Sequence, residues 1–352
     1  MRLPRRAEIW FGGYVADRWR NAFRGRPRRL WVTLCDHFEP YCCNTDDGLA
    51  RRRVELWRGR WPEIAGRHKD ASGASPRYTF FYPQEEYRRH LLQPLAEMTA
   101  MGIADVEVHI HHDGEGERDF LDRMQLFLRQ LSEGHGLLRQ SGGRLAFGFI
   151  HGNWALDNSL PGGKGCGLNN ELTLLRELGC YADFTMPSAP SPSQARMVNR
   201  IYWARDVVDE PKSYDSGIEV RPGGGVEGDI LMVPGPLGVR WTERLIPRLE
   251  VGEFAGYDLA SRNRIRRWFS LAPRIGEDAI VKLHTHGTEE RNSGPMLGGG
   301  LDQLFELLGE ECGRAGVELH YASAWELFQV IEALRGRRDP LAALGRRQEQ
   351  PA

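Results

Sequence analysis

From Leu30 onward one unit recurs along the chain: a short apolar run that ends in polar, metal-capable side chains, followed by a stretch with helical spacing. The runs 30–37, 77–83, 106–112, 145–151, 181–187, 229–234, 279–286 and 317–321 predict strands. Between them, Phe120, Leu121, Met124, Phe127, Leu128 and Leu131 recur at helical intervals, and the same habit predicts helices over 168–178, 301–312 and 324–334. Gly179 stands where the second of these needs a left-handed C-terminal cap. Strands alternating with helices over most of the chain predict an α/β fold of parallel βα units, either a (β/α) barrel or an open doubly wound sheet. The Pro- and Gly-rich stretch 188–245 reads as an excursion carrying a hairpin over 217–238, and the tail 335–352 as polar and loose.

Residues 1–29 stand apart. Nine arginines face only Glu8 and Asp17, with Trp10, Phe11, Tyr14, Trp19 and Phe23 interleaved. Such an arm packs its aromatics on the domain, or lies on an anionic membrane surface or beneath a substrate carrier. The remaining composition is that of an ordinary globular chain. Among 352 residues, 41% are hydrophobic, and 47 Lys and Arg nearly cancel 48 Asp and Glu, so no nucleic-acid partner is expected. No run is long enough to span a bilayer, and nothing near the start resembles a secretion signal, which leads us to expect a cytoplasmic protein, peripheral at most to the inner face of the membrane. Six cysteines without a CxxC pair read as reduced thiols rather than a disulfide framework or a thiolate zinc site.

The chemistry is expected where strands end. Seven of eleven histidines lie at or beside such ends: His37, His109, His111, His112, His151, His284 and His286. Strand alternation turns Glu107, His109 and His111 to one face and Val106, Val108 and Ile110 to the other, and sets Lys282, His284 and His286 on a common face. Imidazoles buried this way need one another, a carboxylate or a cation. Asp36 and Asp113, at strand exits, are the nearest carboxylates, and a His/Asp set without thiolate suits zinc, or Mn, Co or Ni. A cation in such a site activates water and polarises a carbonyl, with an imidazole as acid, which suits amide or ester hydrolysis. His151, Asn153 and Trp154 would shape a substrate pocket, the indole suited to stacking on a sugar. Asn169 is either a pocket donor or part of a helix cap, Gly152 reads as a turn residue, and Glu39 as a base or a solvated carboxylate.

The segments Cys35-Asp-His-Phe-Glu-Pro40, Glu107-Val-His-Ile-His-His-Asp113, Phe149-Ile-His-Gly-Asn-Trp-Ala155 and Val281-Lys-Leu-His-Thr-His-Gly287 together resemble the polysaccharide deacetylase superfamily of carbohydrate esterase family four type, in a divergent branch associated with surface polysaccharides. The resemblance covers about 30–334 and implies a distorted (β/α)7–8 barrel flanked by the arm (1–29) and the tail (335–352). It implies a divalent-metal enzyme that removes an N-acetyl or O-acetyl group from a glycan or a lipid-linked sugar. It also implies metal ligands Asp36 and His109 with His111 or Asp113, and His284 or His286 as acid. The family's TFDDG motif places Cys35 at the base position. A one-residue shift instead makes Asp36 the base and His37 a ligand, and the family's base-orienting arginine has no counterpart at His151-Gly-Asn-Trp154. Two other readings follow from the same residues: a glycosidase pairing Asp36 with Asp113 or Glu39, and a non-catalytic sugar-binding relative.

Overall fold

A computed structural model of the chain describes residues 3–43, 45–242 and 246–346. Its strands are β1 (Arg29–His37), β2 (Tyr78–Pro83), β3 (Ala104–Ile110), β4 (Arg139–Ser141), β5 (Arg144–His151), β6 (Cys180–Asp183), β7 (Tyr202–Ala204), β8 (Ile218–Glu219), β9 (Ile230–Met232), β10 (Gly238–Trp241), β11 (Pro247–Glu250), β12 (Arg274–Ile275), β13 (Asp278–Thr285) and β14 (Glu318–Tyr321). The helices are α1 (Ala7–Asn21), α2 (Asp47–Arg67), α3 (Arg89–Ala100), α4 (Glu117–His135), α5 (Glu171–Leu178), α6 (Arg262–Leu271), α7 (Glu290–Pro295), α8 (Leu301–Ala315), α9 (Ala324–Arg335) and α10 (Pro340–Ala343).

Twelve strands form one largely parallel sheet in the order β12-β13-β1-β2-β3-β5-β6-β9-β7-β8, with β14 also on β1 and β4 on β5. Antiparallel pairing is confined to β4, β12 and the β7–β8–β9 group. The fold is thus α/β, and among the described residues the strand path has two ends rather than a closing ladder.

Alternation along the strands divides the core. Val32, Leu34, Val108, Ile110, Phe149, Val281 and Leu283 pack beneath α2, α3, α4, α5, α6 and α8. Trp31, Cys35, Phe81, Ile150 and Ile280 face the other way, against Leu327, Val330 and Ile331 of α9. We call these the helix-covered face and the inner face. Helix α9 starts on a capping box between Ser323 and Glu326, and Gly179 caps α5 with φ +99°.

Three expectations need correction. Segments 202–204, 218–219 and 230–232 join the main sheet rather than decorating a rim, and the hairpin is β10–β11, later than 217–238. The tail does not hang loose up to Arg346: Leu341 is buried, and Arg346 pairs with Asp70 and Glu326. The last six residues lie outside the described ones. No helix among the described residues is long and apolar enough to cross a membrane.

Asp70 ties this tail to the base of β14. Its Oδ1 accepts from Ser72 N (2.8 Å), Ser72 Oγ (2.7 Å) and Ala74 N (2.9 Å), and its Oδ2 from Tyr321 N (3.0 Å) and Arg346 Nη1 (3.1 Å). Burial alone would raise its pKa, but His320, Ser72 and these donors outweigh that and hold it at about 2. Asp70→Asn turns an NH2 toward donors and should cost about 2–4 kcal/mol in urea unfolding at pH 7. A depressed carboxylate stabilises above its unfolded pKa and loses that stability as pH falls toward 2, so the gap between wild type and variant should be narrower at pH 3.

Candidate metal centre

The seven histidines at the strand ends fall into two groups, and strand parity decides which. On β1, His37 shares the inner face with Trp31 and Cys35, whereas Asp36 points beneath the helices. On β3 and just beyond it, His109 and His111 are inner and His112 is helix-covered. On β5, Ile150 is inner and His151 lies on the helix side with Phe149.

The inner group centres on Glu39, two residues beyond His37. Glu39 Oε1 lies 3.2 Å from His109 Nε2 and 3.8 Å from His111 Nε2. Ligand-capable atoms of Glu39, His109 and His111 lie within 4.8 Å of one another, and so do those of His37, Glu39 and His286, so one carboxylate serves both triads. The rings of His37 and His286 stack at 4.7 Å, and His37 meets His109 edge-on at 5.0 Å. Trp154, with φ +50°, stands at the border, its ring 5.7 Å from His37 and 5.9 Å from His286. His284 follows on β13 with its ring 6.2 Å from His37.

Proton accounting distinguishes this group. His109 Nδ1 faces the Ile150 carbonyl at 3.0 Å, so it carries the proton and donates it. His111 Nδ1 bonds the Glu85 carboxylate and donates likewise. Both Nε2 atoms in the neutral rings are then lone pairs, and both aim at the oxygen of Glu39. Acceptors do not converge on an acceptor without a cation or an added proton between them. A backbone carbonyl or carboxylate behind the far ring nitrogen is the usual support for a metal-ligating histidine. Two ligands on a tetrahedral zinc sit about 3.3 Å apart, and the Glu39 distances bracket that. The residues fit a divalent cation.

Without a cation, an added proton fills this gap. Burial would raise the Glu39 carboxyl, but a hydrogen bond from His109 and the positive charge it then carries outweigh that and hold the group ionised. Burial would lower His111, yet Glu85 pushes its pKa above the ordinary value, so this ring too gains a proton readily where no cation sits. His37 is driven well below the ordinary histidine range, by burial first and then by His286 and His109. Among the described residues, neither of its ring nitrogens has a partner. His284 is also pushed far down, by burial and by Lys282.

The second group, His112, His151, Cys166 and Glu171, is fully buried on the helix-covered side, and by spacing it could hold a cation. Its proton pattern is different. His151 Nδ1 accepts from Asn153 N at 3.2 Å and Ala155 N at 3.4 Å, so the neutral ring carries its proton on Nε2, which faces Glu171 Oε1 at 3.7 Å. That nitrogen has no lone pair for a metal. His112 Nε2 meets the same oxygen at 3.0 Å, and Asp157 N donates to Glu171 Oε2 at 2.6 Å. A carboxylate that collects protons from its neighbours fits a structural network, and the inner group is the better candidate for a cation.

Several sequence-predicted site residues lie elsewhere. Asp36 is fully buried with its oxygens on Gly287 N (2.7 Å) and Tyr78 Oη (3.0 Å), and burial raises its pKa to about 7, so it is no ligand to the inner group. Period-two alternation is the reason: His37, not Asp36, faces the histidines. Asp113 is exposed and accepts from Gly165 N. His151 is not a substrate contact but a member of the buried network. Asn153 Nδ2 donates to the carbonyls of His112 and Gly165, while Asn169 bridges Asn158 and Asp209, so both brace loops. Cys35 is sealed in the core with its thiol pushed up to about 12. Glu85, Cys166 and Glu171 escaped the sequence reading. Glu85 lies two residues beyond Pro83, an exit position that the run Tyr-Thr-Phe-Phe-Tyr does not advertise.

Gly152 proves to be a close-approach position. A Cβ there would sit 2.6 Å from the Cγ of His111, with negative φ and no turn requirement. Gly152→Ala should displace that ring and lower divalent-cation affinity about tenfold or more with little change in thermal midpoint, read by chelator competition.

Compared with known proteins, the chain matches no family model and no curated protein.

Proposed function

We propose that the inner group binds one divalent cation through Glu39, His109 and His111, and that the protein is a hydrolase removing an acetyl group from an N- or O-acetylated sugar. The observation that carries the metal is the pair of Nδ1–H donations, to Ile150 O and to Glu85, which leave two lone pairs converging on one ionised carboxylate. Zinc suits the donor set best, and Mn, Co or Ni share it. The acyl-sugar substrate is supported by the four motif segments and their order, and by the Trp154 indole beside the histidines, suited to stacking on a pyranose. On this reading the sheet is the distorted (β/α)7–8 barrel of the deacetylase type, with Gly252–Phe254 beside β13 at His284 filling part of the gap in its wall.

When bound, the cation would polarise an acyl carbonyl and lower the pKa of an attacking water. His109 and His111 orient it, each locked by its Nδ1 bond. His37, kept neutral by burial, is placed to accept a proton beside Glu39. His286, half-buried and stacked on His37, is placed to return one to the leaving amine or alcohol. The glycosidase alternative loses its pairings, because Asp36 and Glu39 lie on opposite faces and Asp113 is tied to Gly165.

Purified protein should carry about one equivalent of a divalent metal and release acetate from N-acetylhexosamine oligomers. His109→Ala should lower both by at least a hundredfold. Metal below a tenth of an equivalent after reconstitution, unchanged by His109→Ala, would sink the metal reading. Full loading without acetate release from any acetylated sugar would leave a metal-bearing binding protein.

A further inference from the structure

The N-terminal arm forms more than a packed helix. One side of α1 is used by the fold: Trp10 is buried against Leu237 and Val198, Tyr14 bonds Arg267, and Asp17 accepts from Asn199. An adjoining side repeats apolar residues every fourth position, at Phe11, Val15 and Trp19, and continues to Phe23 beyond the helix. Trp19 is 69% and Phe23 86% exposed. Trp241 and Ile246 of the β10–β11 hairpin are also more than half exposed, and Trp241 shares a groove with Phe11.

Beside this row lies a basic cavity of about 330 Å³ between α1, α6 and β12, lined by Arg18, Arg24, Arg26 and Arg274, and by Arg266 with Glu311, which pair with each other. Arg18, Arg26 and Arg274 donate to the backbone carbonyls of Ser270, Ala315 and Gly25. Among the described residues, none of the four has a carboxylate within ion-pairing distance. Arg18 also borders the Trp19–Phe23 surface, so the guanidiniums and the apolar row are contiguous. The one carboxylate in the lining, Glu311, is taken up by Arg262, Arg266 and Arg314, so the other four guanidiniums favour an anionic ligand, and aromatic residues standing out beside them favour one with an apolar layer underneath.

We propose that this face docks on a bilayer of anionic phospholipid, with Phe11, Trp19, Phe23 and Trp241 entering the headgroup boundary and the four arginines meeting lipid phosphates. A soluble phosphate would use the arginines and leave the aromatic row idle. The docking would bring the site to the membrane as well. Strand β11 runs directly into Gly252–Phe254, whose backbone pairs with His284: Phe254 N to His284 O at 2.7 Å and His284 N to Gly252 O at 3.0 Å. The inference does not depend on the hydrolase reading.

Co-sedimentation of the full chain with vesicles tests it, comparing pure phosphatidylcholine with vesicles containing one third phosphatidylglycerol. We expect binding to the anionic vesicles alone, weakened by high salt. Arg24→Gln with Arg26→Gln should weaken it about 25-fold, at roughly fivefold per charge, and Trp19→Ala with Phe23→Ala about tenfold. Thermal midpoint and metal content should be unchanged in both. No binding to anionic vesicles would overturn the proposal. So would binding that the aromatic variant leaves intact and inorganic pyrophosphate abolishes, because the cavity would then be a site for a soluble anion.

Discussion

Glu39→Gln should lower divalent-cation affinity by at least a hundredfold and hydrolysis about a thousandfold, with little change in thermal stability. The side chain keeps its shape and loses only the charge on which two triads converge. A hundredfold is about 2.7 kcal/mol, modest for an anionic ligand partly enclosed by imidazoles. The stability should hold because the neighbours that lose a partner, His109 and His111, keep their Nδ1 bonds to Ile150 and Glu85. The matched control is Asp36→Asn. The Asp36 carboxyl bonds Gly287 and Tyr78 on the far side of β1, and an amide can serve both. Its metal affinity should stay within twofold of wild type. Competition with a chromogenic chelator reads both. An Asp36→Asn variant stripped of metal beside an unaffected Glu39→Gln would reverse the assignment and make Asp36 the ligand.

The contrast between these neighbouring carboxylates explains what the sequence could show. A strand repeats every two residues, so once β1 is placed, the facing of His37 and Asp36 is fixed relative to Trp31 and Cys35. The same parity separates His109 and His111 from His112. Weighting a motif aspartate over that parity is what misplaced Asp36. Glu39 shares the parity of His37 but lies beyond the strand, where alternation no longer guarantees direction. The bend after Phe38, where Phe38 N bonds Phe81 O, decides it. Glu171 resembles a first-turn acid at a helix start, and nothing local says that two histidines and a thiol close over it.

The fold was unevenly legible for related reasons. β1, β3, β5 and β13 are long apolar runs whose parity survives in the folded sheet. Helices α2 and α3 were not picked out, although Val54, Trp57, Trp61 and Ile64 form an apolar stripe, because α2 is dense in arginine and both helices contain a proline, Pro62 and Pro94. Of the strands over 202–232, β9 falls within the apolar run 229–234, whereas β7 and β8 are two or three residues long and exist only through pairing with β9 and each other. Segments that short carry no periodicity.

The largest stability effect is expected at Glu171. This carboxylate is fully buried and holds His112, Asp157 N and, at 3.4 Å, the Cys166 thiol. Burial would raise its pKa, but His151 and His112 outweigh that and hold it at about 2, while burial depresses His151 to about 3. Glu171→Ala strands two imidazoles and a backbone N–H in an apolar layer and should cost about 3–5 kcal/mol, a fall of roughly 4–7 °C in thermal midpoint for a chain of this length. The wild type should lose stability on acidification. Between pH 6.5 and 3 the unfolded chain binds a proton at His151 that the folded one refuses, and between about 4 and 2 the same holds at Glu171. Cation affinity of folded Glu171→Ala at pH 7 should match wild type within twofold, because this network and the inner group lie on opposite faces of β3. Loss of metal without loss of stability would instead move the cation to His112, Cys166 and Glu171, and the hydrolytic site with it.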